Sequence, residues 1–489
     1  MNRPRLSLET LAALPAGVER PAYDPAATRI GVVHFGPGAF HRAHQAVVLD
    51  EVLSRQPDWA VSAVALRSPA TRDALASQDG LYTLQVLDHA PRTRVVGALR
   101  ELLVAPESPM AVLARLADPA VRIVTLTVTE KGYHLADDGT LDLDHPDIRA
   151  DLRDGGIPVT ATGWLVAGLA ARRRAGLRPF TAISCDNLTD NGGKLAAAVT
   201  AFARVRDPGL ADWIAAEGAF PATMVDSITP ATDDALRRRV AATLGLEDRW
   251  PVQREGFSQW VIEDRFADGR PDLAAAGVVL TRDVSAFDRA KLRLLNGPHS
   301  SLAYLGGLAG LDTVADAMAD PVLSRFVETL MREDIRPTVA PPPGLDLDRY
   351  IADILDRFRN PAIRHRLAQI AWDGTRKLPF RLIGTLADAL AARRPVARLC
   401  LPIAAWMVSV RQSARQGTPI IDPLAERLAD IGRACTGSPV DDVPAFLALR
   451  GVFPPPVAAD PVVRSAISRA YGALGDGHAA AVRIAMGGC

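Results

Sequence analysis

The sequence predicts an α/β protein in two parts, a doubly wound, mainly parallel sheet over residues 1–285 and a mainly α-helical domain over 286–489. Three observations carry that reading. In the first half, short β-branched runs alternate with helix-periodic segments, the pattern of a parallel sheet with crossover helices. The first run, IGVVHF at 30–35, ends in Gly36-Pro37-Gly38 and enters AFHRAHQAVVLDEVL, whose apolar positions recur at helical spacing. From about residue 286 the β-branched alternation gives way to long Leu/Ala/Arg segments.

Further strands are expected at 60–66 (AVSAVAL), 82–87 (YTLQVL), 121–128 (VRIVTLTV) and 180–184 (FTAIS), all placed in the parallel sheet, with a helix over 162–175. The loop CDNLTDNGG comes after the last strand, and open α/β sheets bind ligands at such carboxyl ends. In the second part, helices are expected over 319–333, 349–358, 379–393 and 421–434. The stretches PTVAPPP (337–343) and FPPP (453–456) read as rigid joints, because proline fixes the backbone.

Composition narrows the function classes. At 489 residues and 48% apolar content the chain is too long for a single ordinary core. Lys+Arg and Asp+Glu both number 56, and no dense basic run of the kind that tracks nucleic acid is present. The four cysteines, at 185, 400, 435 and 489, form no C-x-x-C, which argues against a zinc cage and a disulfide framework. With no signal-peptide core and no apolar run of membrane length, a cytoplasmic location is expected. The expected partner is a small molecule, not nucleic acid or membrane.

Gly36 and Gly38 supply the first two glycines of a dinucleotide fingerprint, so the first part reads as a Rossmann-type domain. His41 stands where the third glycine belongs, and a purely structural Gly-Pro-Gly turn is the competing reading. Amides at the helix start and the cation of Arg42 are expected to hold a diphosphate, with Phe40 among the cofactor contacts. Where the second strand ends, Arg67 and Ser68 replace the acid that favours NAD, so NAD is expected and NADP stays open. A methyltransferase also uses a glycine turn, but its chemistry has no use for a lysine constellation in a helical second domain.

The segment KLRLLNGPHS at 291–300 supplies that constellation, setting Lys291, Asn296 and His299 within nine residues of an apolar, helix-favouring run. A buried lysine sheds its proton readily, as a general base near neutral pH must. The alternatives are a solvated lysine at a helix start, an Asn-Gly-Pro turn or N-cap, and a satisfied core histidine.

Six segments, GPGAFHRAHQ (36–45), TVTEKGY (127–133), SCDNLTDNG (184–192), MVDSITPAT (224–232), QWVIEDRF (259–266) and KLRLLNGPHS, together resemble the long-chain polyol dehydrogenase family. The resemblance implies a Rossmann-type domain followed by a helical one, an active site between them, and metal-free, NAD-dependent oxidation of a secondary alcohol, often by a monomer. It implies Lys291 as catalytic base, Asn187 and Asn296 as amides steadying the alkoxide, His299 as a partner of a substrate hydroxyl, and Glu130 as proton relay. Asp226 matches a position near the site whose chemistry stays unassigned; it is grouped with the cofactor contacts. Lys377 resembles a lysine at the substrate's distal end, whereas Gln369 stands where mannitol dehydrogenases tend to carry arginine. With Arg376, Arg381 or Arg366 as further cations for a carboxylate, this pattern is closer to fructuronate reductases. D-fructuronate reduced to D-mannonate is therefore the expected reaction, and a mannitol–fructose type polyol–ketose pair is the alternative. A non-catalytic dinucleotide sensor is the reading of another class.

Overall fold

The computed structural model describes residues 3–88, 90–136, 138–153 and 156–488, so Cys489 lies outside the described residues. The chain divides into two compact units, Met1–Ser285 and Ala286–Cys489.

The first unit is organised by five parallel strands, β1 (Ile30–Phe35), β2 (Ala60–Ala65), β3 (Leu99–Val104), β4 (Ile123–Leu126) and β5 (Thr181–Ser184). They lie in the order β3-β2-β1-β4-β5, so the connection reverses direction between β1 and β4. That switch point is where a doubly wound sheet opens a crevice outside its carboxyl ends. Successive residues feed opposite cores: Val33 and Phe35 pack with Val124, Leu126 and Ala182 on one face, and Val32 with Ala63, Ile123 and Ile183 on the other. Both faces are covered, which is why these strands read as nearly continuous apolar runs.

Tyr82–Leu87 is a strand as expected, but not of this sheet. It pairs antiparallel with Arg92–Val96 and parallel with Val252–Glu255 in a separate four-stranded sheet. The connection from Leu87 to Arg92 is far too short for the crossover that parallel pairing requires, so the chain turns back as a hairpin. The third parallel strand is instead Leu99–Val104, whose Arg-Glu pair hides it from a hydrophobicity reading. A three-stranded sheet, containing Thr223–Asp226 and Gln259–Glu263 as antiparallel neighbours, completes the strands of this unit among the described residues.

The second unit is helical. Ala397–Gln416 is its central rod, packed by Gly297–Leu308, Ala425–Ala434 and Pro461–Leu474. Among the described residues its helices carry three π turns, at Lys291–Asn296, Leu330–Ile335 and Pro379–Ile383, and the first packs against the other two. Among the described residues no helix is long and apolar enough to cross a membrane, and Cys185, Cys400 and Cys435 are buried.

Candidate active site

At the end of β1, the backbone of Gly36 adopts φ +88°, and a Cβ there would sit 2.3 Å from the Thr127 carbonyl oxygen at the end of β4. Only glycine fits such a turn. Thr127 Oγ1 donates to the Gly36 carbonyl and also meets His34 Nε2 at 2.9 Å, so the turn is pinned to the neighbouring strand. Gly38 differs. Its φ is −72° and an added Cβ would touch only the Gly36 oxygen at 3.8 Å, so nothing inside the chain demands a glycine. Open space beside an exposed glycine at the switch point fits a dinucleotide whose diphosphate approaches the backbone. The helix after the turn, Ala39–Ala43, is short and breaks at His44 before Gln45–Leu53 continues.

His41, in the third glycine's place, stacks on His34 with ring centroids 3.3 Å apart. Neither ring nitrogen of His41 has a hydrogen-bond partner. Burial pushes His34 down to about 3 and His41 well below its ordinary value, so both are neutral. The folded values lie below those of the unfolded chain, and the stability they contribute is therefore present above about pH 6.5 and lost as the pH falls toward 3. Removing one imidazole with His41→Leu should flatten the acid side of the unfolding free energy by about 1.4 kcal/mol per pH unit. Parallel pH profiles for variant and parent would contradict this account.

Arg42 is not the phosphate clamp expected of it. Its side chain is fully buried, donates to the Trp250 carbonyl and lies over the Tyr82 ring, while burial lowers its pKa to about 10. A cation so enclosed ties the turn's helix to the four-stranded sheet. Phe40 is half-buried and stacks on His44 at 5.1 Å. Asp226 is buried at the end of Thr223–Asp226, in register with Gln259. Arg67 leaves β2 exposed to solvent, 3.7 Å from Asp147.

Two loops at the ends of β4 and β5 carry Glu130 and Asn187, both exposed. Asp186, which sequence reasoning passes over beside Asn187, joins them. Its carboxylate accepts from the backbone N–H of Val128 and Thr129 and from the Tyr133 hydroxyl, and that hydroxyl also meets Ser184 Oγ at 2.5 Å. Burial raises the Asp186 carboxyl, against the pull of those three donors. Thr129 has φ +67°, an uncommon conformation for a β-branched residue, held by the Asp186 bond on its amide.

In the second unit, Lys291 and Asn296 open and close a π turn and are 7% and 8% exposed. In a regular α-helix, residues five apart diverge by about 140°. A π turn closes i→i+5 bonds and takes up one extra residue. With that residue discounted, Lys291, Asn296 and His299 fall at i, i+4 and i+7, one face of the helix. Asn296 has helical dihedrals and its side chain makes no cap bond, so neither the turn nor the N-cap alternative applies. Gly297 admits the Arg381 carbonyl, which an added Cβ would meet at 2.8 Å.

His299 is 7% exposed, stacks on Phe358 at 4.6 Å and meets the edge of His365 at 5.0 Å. Its Nε2 and the Nδ1 of His365 are buried without hydrogen-bond partners. Burial first, then His365, Arg381, Arg357 and Lys377, hold His299 well below its ordinary pKa. Such a neutral imidazole with an unused nitrogen suits a ligand hydroxyl. His365 carries a single faint signal in the sequence, its place just before Gln369. Arg381 donates to Ser300 Oγ at 3.1 Å and Lys377 to the Ile370 carbonyl at 3.2 Å. Gln369 and Arg376 are exposed.

Comparison with known proteins decides the family. Residues 30–275 match the mannitol dehydrogenase Rossmann domain and residues 283–475 the mannitol dehydrogenase C-terminal domain. The chain belongs to the mannitol dehydrogenase family. Mannitol 2-dehydrogenase of Aspergillus fumigatus is 40% identical over 469 residues, 93% of this chain and 92% of that protein. A polyol:NADP oxidoreductase of Gluconobacter oxydans is 40% identical over 419 residues, covering 84% and 86%. Among solved structures, Pseudomonas fluorescens mannitol 2-dehydrogenase in a ternary complex with NAD and D-mannitol matches at TM-score 0.84 and 37% identity, covering 98% of this chain and 99% of that one. A substrate-free D-sorbitol dehydrogenase matches at TM-score 0.91 and 35% identity, covering 98% and 100%. As a mannitol dehydrogenase family member the chain is a polyol-type oxidoreductase, and these relatives favour the polyol alternative over the expected uronate.

Proposed function

We propose that this protein is an NAD(H)-linked polyol dehydrogenase interconverting a hexitol such as mannitol with its ketose. The observation that carries this reading is the relative bound to NAD and D-mannitol, alike along nearly the whole chain.

In oxidation, the Lys291 amine takes the proton of the secondary hydroxyl. Asn187 and Asn296 donate amide N–H groups to the oxygen as negative charge builds on it. Nicotinamide, when bound, supplies the hydride acceptor. His299 holds a neighbouring hydroxyl through the nitrogen that the fold leaves unpartnered, and Lys377 with Gln369 reaches the distal end of the polyol. Glu130, at the solvent edge, passes the proton outward. In reduction the same groups act in reverse, with Lys291 as acid. No step requires a metal.

Steady-state assays with NADH should show fructose reduced at least about tenfold more efficiently, by kcat/KM, than fructuronate or tagaturonate. A uronate preferred over fructose would overturn the polyol reading and return the arginines to carboxylate binding.

A further inference from the structure

Among the described residues, one cluster outside the groups of the proposed reaction gathers three side chains of metal-ligating type. They are His134, His145 and Asp147, each offering a ligand atom within 4.8 Å of the other two. The fold brings them together from the two ends of a short excursion after β4. His134 directly follows the Glu130–Tyr133 turn and sits in the left-handed region at φ +52°, which histidine tolerates better than most side chains. Its carbonyl accepts from the Asp142 amide at 2.9 Å, and a bridge between Leu135 and Leu141 closes the excursion. His145 then precedes the helix Pro146–Asp151, with Asp147 in its first turn.

The chemistry of the cluster suits a borderline divalent cation. The His134 side chain is 7% exposed, and its Nδ1 is buried without a hydrogen-bond partner. Its ring meets the His145 ring edge-on with centroids 4.4 Å apart, and its Nε2 lies 3.5 Å from Asp147 Oδ2. That separation is longer than a strong hydrogen bond but close to the edge of a zinc tetrahedron, about 3.3–3.4 Å for bonds of about 2.0–2.1 Å. Two imidazoles with one carboxylate favour Zn²⁺, Ni²⁺ or Cu²⁺ over Mg²⁺ or Ca²⁺. Ligation gives up two weak contacts. The Asp147 amide donates to His145 Nδ1 at 3.2 Å, a bond lost whichever ring nitrogen binds, since the other then carries the proton. The Arg67 guanidinium stands 3.7 Å from Asp147 on a side chain 81% exposed, which can swing into solvent.

We propose that His134, His145 and Asp147 form a binding site for a borderline divalent metal ion such as Zn²⁺, with a fourth position left to water. The ion clips the segment that leaves the Glu130–Tyr133 turn to the start of the helix Pro146–Asp151. No step of the proposed reaction uses these three side chains, so the site and that reading stand or fall separately.

The test is calorimetric titration of Zn²⁺ into the chelator-treated chain, without nucleotide or sugar. Zn²⁺ should bind with a dissociation constant of about 10 μM or tighter, and Mg²⁺ at about a hundredfold excess should not displace it. His145→Ala and Asp147→Asn, both at partly exposed positions, should each weaken that binding at least about tenfold. A parent constant above about 10 μM, binding kept within about tenfold of the parent by either variant, or displacement by Mg²⁺ overturns the site and leaves the oxidoreductase reading in place.

Discussion

Lys291→Met is expected to lower kcat by about three orders of magnitude in both directions while leaving the NADH dissociation constant within about threefold of the parent. The argument is geometric and chemical. Lys291 is 7% exposed and opens the π turn that brings it onto the face shared with Asn296 and His299. In the proposed reaction a basic nitrogen there acts on the substrate hydroxyl, and its value is realised in the transition state more than in the ground state. Methionine keeps the length and apolar character of the lysine stem, so packing is retained while the proton acceptor disappears. Stopped-flow kinetics and nucleotide fluorescence on the same preparation separate the two quantities, and activity within about tenfold of the parent would refute the role of Lys291.

Gly36→Ala and Gly38→Ala should behave in opposite ways although they stand two residues apart. At Gly36, alanine meets both a left-handed φ of +88° and a backbone oxygen 2.3 Å from its Cβ. The first costs about 1–2 kcal/mol, and relieving the second requires the end of β4 to shift. A loss of about 3 kcal/mol in total, and a melting temperature lower by roughly 6–12 °C, is expected, together with at least tenfold weaker dinucleotide binding. At Gly38 the backbone is in an ordinary extended conformation and the added methyl has room. Stability there should change by under about 0.5 kcal/mol while dinucleotide affinity still falls, because the methyl takes the diphosphate's space. Unchanged affinity in Gly38→Ala would mean that the turn serves the fold alone.

Much of the sheet domain was legible because its physics is local. The run at 30–35 is β1 to the residue, and 60–66, 121–128 and 180–184 each contain a parallel strand. Tyr82–Leu87 went to the wrong sheet because a strand's neighbours depend on the length of the connection after it, not on its own side chains. Leu99–Val104 escaped because Arg100 and Glu101 interrupt its apolar run. The second half was readable as helical, but its π turns were not, since a 3.6-residue period is assumed in any search for helix faces. That is why Lys291, Asn296 and His299 stood in sequence as three neighbours without a common side. Arg42 was misjudged because a cation after a glycine turn looks the same in sequence whether it faces outward or is enclosed by Trp250 and Tyr82. Asp186 and His365 left the weakest traces, each beside a more conspicuous residue.

Asp186 also sets the thermal character of the site. By holding Val128, Thr129 and Tyr133 from the neighbouring strand, it makes the segments bearing Glu130 and Asn187 one stiff body. The entropy of fixing those segments is lost once, as the chain folds, and not again with each arriving sugar. The backbone that carries the two side chains is thus fixed before any ligand arrives, and the cost of that order falls on the native state of the sheet domain.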